Sequence, residues 1–210
     1  MEHIFYHSKP VSSEEVARTG SFTSLQVRIN HRDDIANAAT RQLLADWKSF
    51  VVDGSEQESN SSLCELGNWC SLVFPDSIPE RLAILTYLTD LGLIHDGTYG
   101  LLVHSHSTDT IADTSEEMQV DDAITEHDDL GAALDINDQR VLQKGSKSEK
   151  LKKLVAKFLL DAMSIDRAKG ILMVDSYRTK WLAIMEHRNT EEFVSLDAYL
   201  AFRRNNGGME

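Results

Sequence analysis

The stretch FPDSIPERLAILTYLTDLGLIHD, residues 74–96, decides the fold. Pro79 suits the first turn of a helix, and the residues that follow are apolar on nearly every side of such a helix. A helix of this kind is normally buried inside a bundle, because it has no polar face to turn toward water. We therefore predict a buried central helix over Pro79–Asp96, whose C-terminal end presents His95 and Asp96 to the largest apolar cavity.

Amphipathic segments surround this central helix. Apolar residues recur at intervals of three and four positions, as one face of a helix requires. A Gly-, Ser- and Asn-rich loop is expected over 53–62, and the segment after it is short and almost wholly apolar. Only Leu25–Ile29 alternates like a strand, and weakly, so the sequence predicts an all-α bundle. The predicted flanking helices are Asp33–Val52, Leu63–Phe74, Leu151–Ile165, Ile171–His187 and Phe193–Phe202.

The composition fits one globular domain over residues 1–210. The net charge is −13 and there is no long basic patch, which argues against a nucleic-acid-binding protein. No apolar window approaches the length of a membrane span, and the N-terminus has no apolar signal core, so we expect a cytoplasmic protein. The two cysteines, Cys64 and Cys70, lack metal or redox spacing and are expected to be reduced core thiols.

The negative charge is concentrated in one segment. Asp96–Asp138 holds 12 acidic residues and no Lys or Arg, which leaves a net charge of only −1 elsewhere. The part at about 97–120 combines Gly, Ser, Thr and acidic residues without a helical period, so we expect an acidic loop there. Such a loop is either solvated or a cation site. Carboxylates at the mouth of an apolar bundle suit Mg²⁺, which prefers oxygen ligands.

Several stretches resemble one protein family. Residues 74–96 resemble the segment that leads into the Asp-rich motif of fungal class I terpene cyclases, in particular the N-terminal cyclase domains of chimeric prenyltransferase–terpene synthases. EHDDLGAALD (126–135) resembles the helix that follows that motif. SKPVSSEEVARTGSFTSLQVRIN (8–30) resembles the opening of these domains, and LDAYLAFRRNNGGME (196–210) resembles their diphosphate-sensing segment. The resemblance covers nearly the whole chain in order.

The resemblance implies an activity and its ligands. A protein of this family binds a polyprenyl diphosphate, here geranylgeranyl or geranylfarnesyl diphosphate, together with Mg²⁺. It ionises the diphosphate and cyclises the carbocation to a di- or sesterterpene. Metal ions and Arg stabilise the leaving diphosphate, and an apolar wall keeps the cation from water. The candidate wall residues are Trp69, Phe74, Tyr87 and Leu88, although residues of these types are more often plain core residues.

The metal motif departs from the family pattern Asp-Asp-x-x-Asp/Glu. Asp96 is followed by Gly97, and the next acidic residue is Asp109. One hypothesis is that part of 97–107 is an insertion, such as a translated retained intron, which would make Asp96 and Asp109 the ligands. The alternative places the motif at Asp121, Asp122 and Glu126, whose spacing fits one helical face less well.

The C-terminal segment also departs from the family. Within FRRNNGG, Arg203 matches the diphosphate sensor, Asn206 takes the place of a linking Asp, and Gly207 falls at the effector position. The family's second metal motif, of the kind Asn-Asp-x-x-Ser-x-x-x-Glu, does not occur before Glu210. The resemblance therefore implies a bundle that is incomplete at its C-terminus and impaired in activity, with substrate from a separate prenyltransferase. A non-catalytic pseudoenzyme or binding module, and a plain interaction protein, are the alternatives.

Overall fold

The computed structural model describes residues 5–21, 23–50, 61–104, 114–182 and 195–200. The described residues are mainly helical, which confirms the all-α prediction. Two three-residue strands form one small antiparallel sheet. The elements are β1 (Ser8–Pro10), α1 (Ser13–Arg18), β2 (Arg28–Asn30), α2 (Asp33–Phe50), α3 (Trp69–Val73), α4 (Pro79–His104), α5 (Thr114–Ala133), α6 (Lys147–Ile165) and α7 (Arg167–Ser176), which continues into a π-helical segment, Tyr177–Leu182.

The chain divides into two compact units, Met1–Ile124 and Thr125–Glu210. In the first unit α2 packs along α4, and α3 lies against both β2 and α4. Leu43 of α2 and Leu82 and Leu91 of α4 are completely buried, so the first unit has a true apolar core. None of the helices in the described ranges is both long and apolar enough to cross a membrane.

Helix α4 begins at Pro79 as predicted but does not end at Asp96. It runs on to His104, and α5 begins at Thr114, so the expected loop over 97–120 is wrong for 97–104 and 114–120. The glycines at 97 and 100 suggested a break, yet each costs only about 1 kcal/mol in a helix that is already nucleated. Glu116, Glu117 and Met118 are good helix formers in their own right.

Helix α3 is shorter than the predicted Leu63–Phe74. Gly67 has a φ of +136°, which a helix does not allow, and the Asn68 side chain accepts a hydrogen bond from the Cys70 N–H as the N-cap. These two residues delay the start of the helix to Trp69. The same turn leaves Cys64 exposed and Cys70 buried, so only Cys70 is the core thiol that was predicted.

The sheet attaches the N-terminal segment to the start of α4. Ser8 pairs with Asn30 in the register of β1 and β2. The Asn30 side chain donates to the carbonyl oxygens of Pro75 (2.9 Å) and Ser77 (2.8 Å), and the His7 N–H donates to Asp76 Oδ1 (2.7 Å). The turn before α4 is therefore held by backbone and side-chain bonds from the first 30 residues.

The second unit is organised around α6. Its apolar stripe is buried from Leu151 to Ala162, where Phe158 is 2% exposed, whereas Ile165 at the end of the helix is 38% exposed. Helix α7 crosses α6 closely, because a Cβ at Gly170 would lie 3.0 Å from the Ala162 carbonyl group. Asp166 is extended between the two helices and caps α7 by accepting from the Lys169 N–H. This break explains why the helix after α6 begins at Arg167 rather than Ile171.

An ion cluster holds the loop between α5 and α6. Asp138 accepts from Arg140 Nε (3.0 Å) and from Lys152 Nζ (3.0 Å), and Arg140 also reaches Asp129 (2.9 Å). The Arg140 guanidinium and the Arg140 N–H, followed by Lys152, hold the pKa of the Asp138 carboxyl far below its usual range. The ionised form of Asp138 is therefore bound more tightly in the folded chain than in the unfolded one.

Replacing Gly67 with Ala tests the turn before α3. The new Cβ would collide with Ile29 Cδ1 and would also strain the backbone. We expect the free energy of unfolding to fall by at least about 2 kcal/mol in urea titrations. Gly20→Ala is the matched control, since Gly20 has a φ of +75° with nothing within 4 Å of the added Cβ. It should cost only about 1 kcal/mol from strain. Equal losses would contradict the predicted collision.

Asp138→Asn tests the ion cluster. At pH 7 we expect a loss of roughly 1–3 kcal/mol in the free energy of unfolding, because charge-assisted hydrogen bonds are lost. The stability that wild-type Asp138 contributes is fully present above the pKa of an Asp side chain in the unfolded chain, about 3.9. It shrinks as the pH falls below that value, because the pKa of Asp138 is lower in the folded chain. Denaturant titrations at pH 7, 5 and 3 measure this trend. Asp128→Asn, a matched change at an exposed position of α5, is the control and should change the free energy of unfolding at pH 7 by less than about 0.5 kcal/mol.

Candidate active site

The candidate metal ligand Asp96 lies in the C-terminal half of α4. Ile94 and His95 are buried, at 2% and 1% exposure, so the helix is still inside the protein one residue before Asp96. Asp96 lies on the continuous backbone of α4, and its side chain falls outside the described part of the chain. The sequence had predicted Asp96 as the last residue of the helix. In the structure it is a residue within α4.

A buried polar network surrounds Asp90, which is fully buried about 1.7 helical turns before Asp96. Asp90 Oδ2 accepts from Thr40 Oγ1 on α2 (2.5 Å), and Asp90 Oδ1 accepts from the Ser62 N–H (2.6 Å). The Asn68 side chain donates in turn to Thr40 Oγ1 (2.9 Å). The network therefore connects α4 to α2 and to the segment that enters α3.

A second polar contact joins the same helices. Tyr87 Oη donates to Asp46 Oδ2 on α2 at 2.9 Å, and Gln42 donates to Asp46 Oδ1 at 2.8 Å. Tyr87 precedes Asp90 by three residues and therefore lies close to it on one face of α4. The two contacts run in opposite directions along α2 and α4, which makes these helices antiparallel.

The thiol of Cys70 lies beside this network. Its sulfur is 3.5 Å from Ser62 Oγ, and burial raises the pKa of the thiol. A thiol that stays protonated is a poor nucleophile and a poor metal ligand. Cys70 is therefore a packing residue of the first unit.

The four predicted wall residues have different environments. Leu88 and Tyr87 are buried in α4, at 5% and 8% exposure, and the Tyr87 hydroxyl bonds to α2. Phe74 is half-buried at the end of α3, and Trp69 is 45% exposed at its start. Their role as a cavity wall stays a prediction.

The alternative metal residues lie on α5, where Glu126 is the one with a described side chain. Glu126 is 6% exposed and pairs through Oε2 with Lys147 Nζ of α6. A carboxylate paired with an ammonium group is a poor choice for a cation ligand, because the two cations would compete for it. Asp121 and Asp122 lie on the α5 backbone, and their side chains are outside the described part.

The remaining candidate residues lie outside the described ranges. These are Asp109, Arg203, Asn206 and Gly207, and their roles stay predictions. Within the ranges that the structure covers, no three His, Cys, Asp or Glu side chains come together as a metal site. The role of Asp96 as a Mg²⁺ ligand, and that of the alternative set at Asp121, Asp122 and Glu126, therefore also stay predictions.

Sequence reasoning missed Asp90, Thr40 and Asn68. A signal was available for Asp90, which is the one charged residue in the run LAILTYLTDLGLI of a helix predicted to be buried. A charged group at such a position must find hydrogen-bond partners. The identity of those partners, 50 and 28 positions away, could not be derived from periodicity.

The structure is thus that of an all-α protein in which a long apolar helix, α4, carries Asp96 beyond the buried polar network around Asp90. No family model matches the chain. The whole of this chain is nevertheless similar to part of several fungal proteins. The chain is 43% identical over 213 residues to a sesterterpene synthase of Colletotrichum orbiculare, covering all of this chain and 28% of the relative.

Two further relatives agree. A preterpestacin I synthase of Cochliobolus heterostrophus is 42% identical, and a bifunctional terpene synthase of Fusarium proliferatum is 41% identical. Both matches cover the whole of this chain, and 27% and 26% of the relatives. The chain belongs to the fungal terpene synthase family, which confirms the resemblance found in the sequence. It spans about a quarter of the length of these relatives.

A double-mutant cycle on Glu126 and Lys147 tests the assignment of the α5 acidic residues. We expect Glu126→Gln and Lys147→Met each to lower the free energy of unfolding, with a coupling energy of about 0.5–3 kcal/mol. Glu126→Gln should leave the Mg²⁺ affinity of the chain unchanged in calorimetric titrations. A clear loss of Mg²⁺ affinity in this variant would instead favour the motif at 121–126.

Proposed function

We propose that this chain forms part of a terpene cyclase site that binds a polyprenyl diphosphate with Mg²⁺. The observation that carries the proposal is the identity of about 40% with named terpene synthases over the whole chain. The sesterterpene synthase among them favours geranylfarnesyl diphosphate as substrate, since that diphosphate has the carbon count of a sesterterpene. Geranylgeranyl diphosphate is the shorter candidate.

The proposed roles follow the sequence motifs. Asp96 supplies a carboxylate to Mg²⁺, with Asp109 as the second ligand if the segment between them is an insertion. Arg203 senses the diphosphate, and Asn206 and Gly207 transmit that contact. When bound, Mg²⁺ would neutralise charge on the departing diphosphate. Leu88, which is buried on α4, supplies apolar surface of the kind that keeps water from a carbocation.

Activity of the 210-residue chain by itself is a separate question. No motif of the second metal type occurs within these 210 residues. Losing even one electrostatic donor to a developing anion costs on the order of 10²–10³ in rate. We therefore propose that the isolated chain binds substrate and forms little or no hydrocarbon, and that the substrate is made by a prenyltransferase activity outside these residues.

The test is incubation of the chain with geranyl, farnesyl, geranylgeranyl and geranylfarnesyl diphosphates. We expect Mg²⁺-dependent binding of the two longer diphosphates by calorimetry, with little hydrocarbon by gas chromatography. Asp96→Asn should weaken binding, while Asp161→Asn, a matched change on the exposed surface of α6, should not. Robust hydrocarbon formation would overturn the impairment. Absence of any diphosphate binding would favour the non-catalytic interpretation.

A gain-of-function variant sharpens this test. Gly97→Asp with Gly100→Glu creates the family pattern of carboxylates on the continuous helix α4. Even the outer-shell partners of metal ligands change metal affinity by about 10–100-fold, so added ligands should tighten Mg²⁺-dependent binding by at least about tenfold. Hydrocarbon formation should remain low, because the second motif is still missing. Unchanged binding would contradict the role of Asp96.

A further inference from the structure

Helix α4 has little in its apolar surface to fix its rotation about its own axis. Its residues are apolar nearly all round, so several rotations would bury similar apolar area against α2. Polar contacts discriminate among such rotations, because a buried polar group has very few satisfactory arrangements. Asp90 and Tyr87 of α4 each make a long-range contact of this kind to α2.

The contacts of Asp90 are the more restrictive of the two. Asp90 has 0% exposure, and its two carboxyl oxygens are bound by donors from different elements, Thr40 Oγ1 and the Ser62 N–H. Rotating α4 by one residue position, about 100°, would separate both oxygens from their donors and leave a carboxyl group buried among apolar residues. The contact of Tyr87 with Asp46 lies about one turn earlier on α4 and restricts sliding of α4 along its own axis relative to α2.

The rotation fixed at Asp90 is inherited by Asp96. The two residues are six positions apart on one continuous helix, which places Asp96 about 9 Å further along the axis and about 120° around it. The position of Asp96 around the axis of α4 is therefore set by the hydrogen bonds of Asp90, although Asp96 takes no part in them.

We propose that Asp90, held by Thr40 and Ser62, is a positioning residue that sets the rotation of α4 and so fixes the position of the candidate Mg²⁺ ligand Asp96 around the helix axis. The functional half of this inference rests on the proposed cyclase function. The structural half concerns the rotation of the helix and can be measured without any ligand.

Spin labels measure the rotation directly. One label is placed at Asp96→Cys and the other at Lys48→Cys, an exposed position of α2, in a chain carrying Cys64→Ser to remove the exposed thiol. Pulsed electron–electron double resonance should give one narrow distance in this background. Asp90→Asn and Thr40→Val should broaden or shift the distance, because each removes one partner of the charged hydrogen bond between Thr40 and Asp90 that joins α2 to α4. Thr40→Ser keeps the hydroxyl and should restore the narrow distance.

Leu82→Ala is the control for simple destabilisation. Leu82 is fully buried on α4, and its truncation should cost about 2–5 kcal/mol without touching the Asp90 network. The Leu82→Ala change should leave the label distance unchanged in samples frozen from a temperature at which every variant is folded. An unchanged distance in Asp90→Asn, or an equal broadening in Leu82→Ala, would overturn the proposal.

The functional arm uses the unlabelled chain with geranylfarnesyl diphosphate and Mg²⁺. A displaced Asp96 should weaken diphosphate binding by about 10–100-fold in Asp90→Asn and Thr40→Val. The affinity of Leu82→Ala and Thr40→Ser should stay near that of the wild type. If the wild-type chain binds no diphosphate, the proposed function fails while the label distances still report the rotation. If it binds and Asp90→Asn binds equally well, the link from Asp90 to the site fails alone.

Discussion

The first unit depends on one buried carboxyl group. Moving Asp90 out of water is costly unless its oxygens are hydrogen-bonded, and the partners come from α2 and from the segment before α3. The condition can be met only when three elements are in place together. The same hydrogen bonds fix the positions of α2, α3 and α4 relative to one another. Thr40 is bound by both Asp90 and Asn68, and Asn68 also caps α3. Packing of Leu43 and Leu91 then fills the space that this arrangement defines.

The N-terminal segment makes a similar use of polar groups. Asn30 and His7 bind the turn at 75–77 that precedes α4, so the position where the helix begins is fixed from outside the helix. Pro79 and the Asp90 network together leave little freedom in where α4 starts and how it is rotated. The stability of the apolar core and the uniqueness of its arrangement thus have different sources, burial for the first and hydrogen bonding for the second.

Periodicity was sufficient for the helices that have one apolar face. The start of α2 at Asp33 and the buried stripe of α6 were predicted correctly, because a period of 3.6 residues is a local property of sequence. The end of α4 and the start of α3 were not. Both depend on the competition between glycine and its neighbours, which a tertiary contact can decide, as the approach of Ile29 to Gly67 does. Pairings such as Thr40 with Asp90 join positions 50 apart and leave no local trace.

The continuity of α4 beyond Asp96 changes how the departure from the family motif is understood. On an uninterrupted helix, the position one turn after Asp96 is Gly100, and the position next to it is Gly97. These are the two places at which the pattern Asp-Asp-x-x-Asp/Glu has its other carboxylates. The helix therefore preserves the geometry of the motif while two of its three acidic groups are absent. The proposed Asp96 site would supply Mg²⁺ with only one carboxylate of the six oxygen ligands that the metal takes. The affinity of such a site for the metal alone would then be low, and a bound diphosphate would have to supply further oxygen ligands.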